Sequence, residues 1–519
     1  MRSPVPCLAI ACSALLACAS GDLPAAGPAP AGAVSVHVAV SGAPIATVSD
    51  RFLSVAVDAS QAMGAHWWSP DAQVETGVGK TLVPPFDFAR LRLRRMAREL
   101  APAWLRIGGT EADKVWYDLR ETPAATPPAP YELTLTRALW QGITDFARDE
   151  GFDVLFTLNA GPGPRDESGA WTPDNARSLM AWAAGRGDPV AVWELGNEVD
   201  GYPLIFGMTV SGAQLARDLA TLRSLADEVL PAARLAGPAS AYWPGIGEMG
   251  ALTTDFVAGA SKTVDVVTWH YYPTQSRRCP VASVPAGPTT LLDPAALDEV
   301  ARWAGQVEDA ARAGAPAAEV WLGETGNAQC GGEPGVSDTF VASLWWVDQL
   351  GVIAARGQQV VVRQTLAGSN YGLIDDDTLS PNPDWWASVL WKRWMGSRVL
   401  RASSAEADVR AYAHCAPPGA GLPAGALTVA LVHLGRDAEA TVVLDGLGSQ
   451  AMRAWVLTAT DPSSRTVLLD GVALSVDADG APPPLDPVVR RSSGDPWMTL
   501  PPLSIAFVAL PDAGAAACR

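Results

Sequence analysis

Val192-Trp193-Glu194-Leu195-Gly196-Asn197-Glu198 and its later echo Glu319-Val320-Trp321-Leu322-Gly323-Glu324-Thr325 share one reading. Each is a short apolar run, legible as a buried strand, that stops at a carboxylate beside small or amide residues. The two acids are distant in the chain. They meet only if both strands end on the same rim of one parallel barrel, where such barrels assemble their sites.

The neighbouring sequence supplies that barrel. Apolar runs at 52–59, 104–107, 152–158, 234–236, 264–269 and 359–363 join the two quoted strands. Between them lie helical patterns at 91–100, 135–150, 246–258, 337–356 and 383–395. Thr172-Pro173-Asp174 and Asp293-Pro294 open two more, and Leu215, Leu219, Leu222, Ala226 and Val229 mark a buried helix face. Eight alternations of strand and crossover helix imply a parallel sheet closed into a (β/α)8 TIM barrel, here over residues 49–398. Beyond it the texture changes to short alternating strands between Gly, Pro and Asp turns, which predicts an all-β sandwich over 399–519. A strand within 34–48 is expected to return to that sandwich.

Composition narrows the function. Asp and Glu number 55 against 37 Lys and Arg, a net charge of −18 that repels nucleic acid and other polyanions and excludes a nucleic-acid partner. Met1-Arg2, an apolar run to Leu16 and the small residues Ala17 to Gly21 form an export signal over 1–18. The protein is therefore expected to be secreted, periplasmic or at the cell surface. Leu15-Leu16-Ala17-Cys18 is similar to a bacterial lipoprotein box, which would lipidate Cys18 and anchor the chain to a membrane; cleavage near Ala19 is the alternative. Residues 19–33, rich in Ala, Pro and Gly, read as a flexible tether. An oxidising compartment favours disulfides, and Cys415 with Cys518 and Cys279 with Cys330 are the expected pairs, free thiols being the alternative.

Strand alternation then groups the polar strand ends. Ser54, Ala56 and Asp58 share a face, as do Arg106, Gly108 and Thr110, and Val266, Thr268, His270 and Tyr272. The same reasoning groups Val320, Leu322 and Glu324, and Val360, Val362 and Gln364. Asp58, Thr110, Asn197, Glu198, His270, Tyr272, Glu324 and Gln364 are thereby expected on one rim. Two carboxylates there can divide labour in breaking a glycosidic bond, one as proton donor and one as nucleophile. Glu194 reads as a buried structural acid, and Arg106 as its partner or as a group that orients the nucleophile. The Trp345-Trp346 and Trp385-Trp386 pairs read as core, whereas Trp67-Trp68 could stack on a sugar. The five histidines lack ligand spacing, no dinucleotide, phosphate-loop or nucleophile-elbow motif occurs, and no metal or cofactor is expected.

Together these stretches resemble the heparanase-like β-glucuronidases of glycoside hydrolase family 79. The resemblance is carried by Arg51-Phe52-Leu53-Ser54 through Asp58, Trp104-Leu105-Arg106-Ile107-Gly108-Gly109-Thr110, Trp193 through Glu198 and Thr268-Trp269-His270-Tyr271-Tyr272. Trp321-Leu322-Gly323-Glu324-Thr325, Ser337-Asp338-Thr339-Phe340, Arg363-Gln364 and Asn370-Tyr371 complete it. It implies a barrel with a C-terminal sandwich, Glu198 as acid/base, Glu324 as nucleophile, and a glucuronate carboxylate held by the amides of Gly331 and Gly332 with Tyr272 and Tyr371. The chain departs from the family's heparanases in having Gln329-Cys330-Gly331-Gly332 at their glycine-rich turn and in lacking basic clusters. Arg277-Arg278 is the single local basic pair, readable as a contact to a charged neighbouring sugar or as solvated. The expected activity is retaining, exo-acting release of glucuronic acid or its methyl ether from a carbohydrate. The alternatives are endo-acting cleavage and a non-catalytic carbohydrate-binding protein.

Overall fold

A computed structural model describes residues 26–69, 79–243, 247–248 and 251–519. The export signal and Cys18 lie outside the described residues. Eight parallel strands close into a barrel in chain order: β1 (Leu53–Asp58), β2 (Ala103–Gly108), β3 (Phe152–Leu158), β4 (Val190–Leu195), β5 (Arg234–Tyr242), β6 (Val266–Tyr271), β7 (Glu319–Thr325) and β8 (Val360–Arg363). Helices α1 (Leu91–Arg98), α2 (Arg137–Glu150), α3 (Asp174–Arg186), α4 (Gly212–Val229), α5 (Leu252–Ala260), α6 (Pro294–Gly314), α7 (Phe340–Arg356) and α8 (Pro383–Trp394) follow the strands in turn. The expected TIM barrel is present. Among the described residues no helix is long and apolar enough to cross a membrane.

Local chemistry sets several boundaries. Asp293 accepts the backbone N–H of Ala295 with Pro294 in the first turn of α6, and Ser211 caps α4 through the N–H of Gln214. The barrel interior is plugged by Ala56, Trp104, Leu155, Val192, Ala236, Val266, Trp321, Val360 and Val362, with every strand contributing and β8 contributing two. The Trp104 and Trp321 rings meet with centroids 5.1 Å apart. This plug forms a dry floor beneath the C-terminal rim.

Two strands depart from simple alternation. On β7, Trp321 faces the interior and Leu322 the helices, the reverse of the expected grouping of Val320, Leu322 and Glu324 on one face. The register with β6 then slips at Gly323, so that Leu322 pairs with Trp269 but Glu324 pairs with His270. This β-bulge turns Glu324 inward. Gly323 is the residue that allows it, because a Cβ there would lie 3.2 Å from the Thr268 Cβ. On β5 a second slip leaves Ala239 as the extra residue, and its carbonyl accepts the N–H of Glu198 at 2.9 Å. β5 is also longer than the weak three-residue run expected, and α5 begins at Leu252 rather than at 246.

Outside the barrel, Val34–Val38 lies between Ala402–Ser404 and Ala440–Asp445 in a four-stranded sheet closed by Trp497–Leu500. A larger sheet is centred on Val409–Cys415, Leu427–His433, Ser504–Leu510 and Ala451–Thr458. Its central strands Leu427–His433 and Ser504–Leu510 are buried at every position. Leu427, Val429 and Leu431 pack toward the smaller sheet, whereas Ala430 and Val432 join the core of the barrel's outer layer. A sheet covered on both faces reads as a continuous apolar run, not as the clean alternation expected from sequence. Its second face covers α7, which explains that helix's burial and places Trp345 and Trp346 in the core. Cys279 is bonded to Cys330, and Cys415 to Cys518.

The contact between α7 and the sheet yields a prediction. Replacing a helical glycine by alanine ordinarily stabilises by ~1 kcal/mol, but a Cβ on Gly351 would meet the Tyr412 ring at 2.1–2.4 Å. Overpacking of this kind costs ~1–3 kcal/mol, so the Gly351→Ala variant should unfold at a lower temperature than the parent. A higher unfolding temperature in calorimetry would refute this packing.

Candidate active site

β4 ends at Leu195, three residues before Glu198, so the acid belongs to the loop rather than to the strand. Glu198 adopts φ +47 and ψ +52, a left-handed conformation that costs a non-glycine residue ~1–2 kcal/mol. The Ala239 carbonyl from the β5 bulge holds it there. Glu324 arrives through the other bulge. The nearest ligand atoms of Glu198, His270 and Glu324 lie within 4.8 Å of one another.

Arg106, buried on β2, organises this group. Its Nη1 donates to Glu324 at 2.6 Å, Nε to Glu194 at 3.0 Å and Nη2 to the Asn197 side-chain oxygen at 2.8 Å. Both alternatives weighed for Arg106 are therefore realised, pairing with Glu194 and orienting Glu324. Thr157 adds a hydroxyl to Glu194 at 2.8 Å, and the Tyr272 hydroxyl donates to the other Glu324 oxygen at 2.8 Å. His270 is fully buried behind the acids, its Nδ1 3.2 Å from Glu198 and its Nε2 3.4 Å from Arg106.

Burial alone would raise the Glu324 pKa, but the charges of His270 and Arg106 and the Tyr272 hydrogen bond outweigh it and hold the carboxylate below its ordinary value. Asp58 behaves oppositely. Burial, reinforced by Glu111 and Glu324, pushes it up to about 7 against the hydrogen bonds from Ser60. Glu198, His270 and Glu324 are also a potential cation-binding trio. The Arg106 guanidinium already places a fixed positive charge on Glu324 and beside His270, which a divalent ion would have to oppose.

A cavity of about 170 Å³ opens over the two acids. Asp58, Thr110, Glu198, Tyr272, Glu324 and Gln364 line it, as expected from the strand ends, together with Tyr371, which the resemblance implied. Gly109 lines it too, and no larger residue fits, because a Cβ there would stand 2.0 Å from an Asp58 oxygen. Asn197, His270, Gly331 and Gly332 are not on the wall. Asn197 and His270 sit behind it as partners of Arg106, and the glycines form the turn after Cys330.

Two further wall residues, Lys80 and Glu111, were not anticipated. Lys80 and Glu111 form a 3.0 Å ion pair, with the Lys80 amine 4.8 Å from the Trp68 ring centroid. Trp67, Trp68, Gln329 and Cys330 complete the lining. Lys80 reaches the site through a hairpin in which it pairs with Trp68, and no local pattern announces that pairing. Arg277 is exposed, in line with the solvated reading, whereas Arg278 differs from both readings. Arg277 is paired with Glu333, whereas Arg278 is buried, neither solvated nor free to reach a neighbouring sugar.

Comparison with known proteins places this geometry. Residues 35–351 match the model of the N-terminal domain of glycosyl hydrolase family 79. The chain is 30% identical to heparanase-like protein 1 of Arabidopsis thaliana, covering 87% of this chain and 90% of that protein. It is likewise 30% identical to heparanase of Gallus gallus, over 92% and 95%. Among solved structures, a 4-O-α-L-rhamnosyl-β-D-glucuronidase from Fusarium oxysporum superposes with a TM-score of 0.63 at 17% identity, over 91% and 99% of the two chains, a likeness of fold. By the span of the family match and the two full-length relatives, the chain belongs to glycosyl hydrolase family 79.

Proposed function

We propose that this family 79 glycosidase is a retaining β-glucuronidase that releases terminal glucuronic acid or its methyl ether from glycans or small glucuronides. The observation that carries the reading is the separation of the acids. Nearest oxygens within 4.8 Å suit the roughly 5–5.5 Å of retaining pairs and fall short of the ~6.5–9.5 Å of inverting ones. Glu324, held ionised by Arg106 and Tyr272, is the nucleophile. One of its oxygens attacks the anomeric carbon while Glu198 delivers a proton to the departing oxygen, leaving a glycosyl ester. Glu198 then takes a proton from water as that water breaks the ester and releases the sugar with its configuration retained.

Support for a uronate comes from the relatives' names and from Tyr272 and Tyr371 on the cavity wall, with the Gly331–Gly332 turn behind Tyr371. Exo action is favoured by the small cavity, and the net charge of −18 disfavours a long sulfated polymer. The heparanase relatives favour a second reading, endo cleavage of a glucuronate-containing polysaccharide. Product size separates the two, since free monosaccharide from the start of a digest supports exo action and oligosaccharides support endo action. A non-catalytic carbohydrate-binding role is disfavoured by the presence of both acids. The leader-like N-terminus and the two disulfides support an exported enzyme, tethered to a membrane if Cys18 is lipidated.

On an aryl β-glucuronide, Glu324→Gln should reduce turnover to background, and Glu198→Gln should cost about 10²–10⁴-fold with a poor leaving group and less with an activated one. Wild-type rates in Glu324→Gln, or an α-anomer as first product by proton NMR, would end the retaining proposal. The pH profile supplies a further check. Because His270 and Arg106 together hold the Glu324 pKa down against its burial, the acid limb of kcat/KM should lie below the ordinary glutamate range. In Arg106→Gln the nucleophile stays protonated to higher pH, so that limb should move upward; an unmoved limb would contradict the assigned ion pair.

A further inference from the structure

Arg278 is an unusual buried cation. Its Nη1 donates to the Ser69 carbonyl at 2.6 Å, and its Nη2 donates to the Gly331 carbonyl at 3.0 Å, to the Gly332 carbonyl and to the Asn370 side-chain oxygen at 2.8 Å. Nε reaches the Ser276 hydroxyl at 3.4 Å. All these acceptors are uncharged, and among the described residues no carboxylate lies within ion-pairing distance. Glu333, the nearest candidate by sequence, is taken by Arg277 and Ser276. A guanidinium that is 1% exposed and left without a counter-charge is costly, and proteins ordinarily pair such groups. Burial accordingly lowers its pKa, although Tyr371, Glu333 and Asp338 act in the opposite direction.

Its position gives that charge a use. Cys330 and Tyr371 line the cavity, and the residues Arg278 grips, Gly331, Gly332 and Asn370, adjoin them in sequence. Cys330, Gly331 and Gly332 have φ of +60, +83 and +81, a left-handed turn that needs clamping. The glycines are required there, since a Cβ on Gly331 would meet Trp68 at 2.4 Å and one on Gly332 the Tyr371 nitrogen at 2.8 Å. In a trans peptide C=O and N–H point in opposite directions. Drawing the Gly331 carbonyl onto Arg278 therefore turns the Gly332 N–H away from the guanidinium.

We infer that Arg278 is the positioning residue that makes this pocket select an anionic sugar, by fixing the Gly331–Gly332 turn and by holding a charge that no carboxylate among the described residues pairs with and that a bound uronate carboxylate neutralises. The inference rests on the glucuronidase reading and adds the source of its selectivity. Arg278 does not touch the sugar; it acts through the turn and through its field. A unit charge a few ångströms behind the wall is worth a factor of about 10–100 in favour of an anion.

The test compares covalent labelling of Glu324 by two epoxide inactivators, one of glucuronic and one of neutral gluco configuration, read by intact mass. Arg278→Met should slow labelling by the uronate probe about 10–100-fold and change the neutral probe less than about twofold. Arg278→Lys, which keeps the charge, should retain most of the preference. Asn370→Asp keeps the arginine but sets a carboxylate against Nη2, and should weaken uronate labelling about tenfold. Equal losses with both probes, or an unchanged preference in Arg278→Met, would overturn the role of Arg278. If Arg278→Met fails to fold, an unchanged preference in Asn370→Asp overturns it alone. A wild-type protein labelled by neither probe, or equally by both, sinks the glucuronidase reading itself, an outcome distinct from the failure of Arg278.

Discussion

A single guanidinium near the barrel axis constrains the rest of this structure. Arg106 is buried, and a buried cation without partners would cost several kcal/mol. Its stability requires Glu194 and Asn197 from β4 and the loop beyond it, and Glu324 from β7, all within hydrogen-bonding reach. Glu194 and Glu324 share this guanidinium, and the hydroxyls of Thr157 and Tyr272 add a hydrogen bond to each. Here the requirement of folding and the requirement of the site coincide. The group that lets two carboxylates be buried together also holds one of them ionised.

Regular barrel geometry would not bring the acids this close. Glu324 faces inward because β7 carries an extra residue at Gly323, and Glu198 is aimed by a left-handed backbone braced by the Ala239 bulge of β5. Each irregularity weakens local pairing, and each is supported by regular structure on both sides. The floor beneath them is the opposite case. Trp104 and Trp321 fill the barrel with apolar volume, so the polar cluster sits on a surface that admits little relaxation.

The outer parts of the chain contribute rigidity of another kind. The larger sheet is covered on both faces, by the smaller sheet and by α7 with its neighbours, so barrel and sandwich share a continuous apolar layer. Asp348 of α7 accepts Arg410 and Tyr412 across that layer, a polar anchor within it. At the rim, the Cys279–Cys330 bond and the hydrogen bonds of Arg278 hold a turn whose backbone angles are unfavourable by themselves. The wall of the pocket is thus set by covalent and polar ties, the floor by packing.

Much of this was legible in the chain. Apolar runs closing on Asp58, Thr110, Glu198, Tyr272, Glu324 and Gln364 follow from period-two strands and their stops, which are local properties, and eight repeats with crossover helices leave little choice but a closed parallel barrel. Tertiary structure decided what those local patterns could not carry. The inward turn of Glu324 depends on Thr268 and His270 across the sheet, the place of Lys80 on its pairing with Trp68, and the burial of Arg278 on carbonyls from Ser69 and the Gly331–Gly332 turn. A strand's alternation is written in its own residues, whereas a bulge, a register or the cost of burying a charge is settled by groups that only folding brings together.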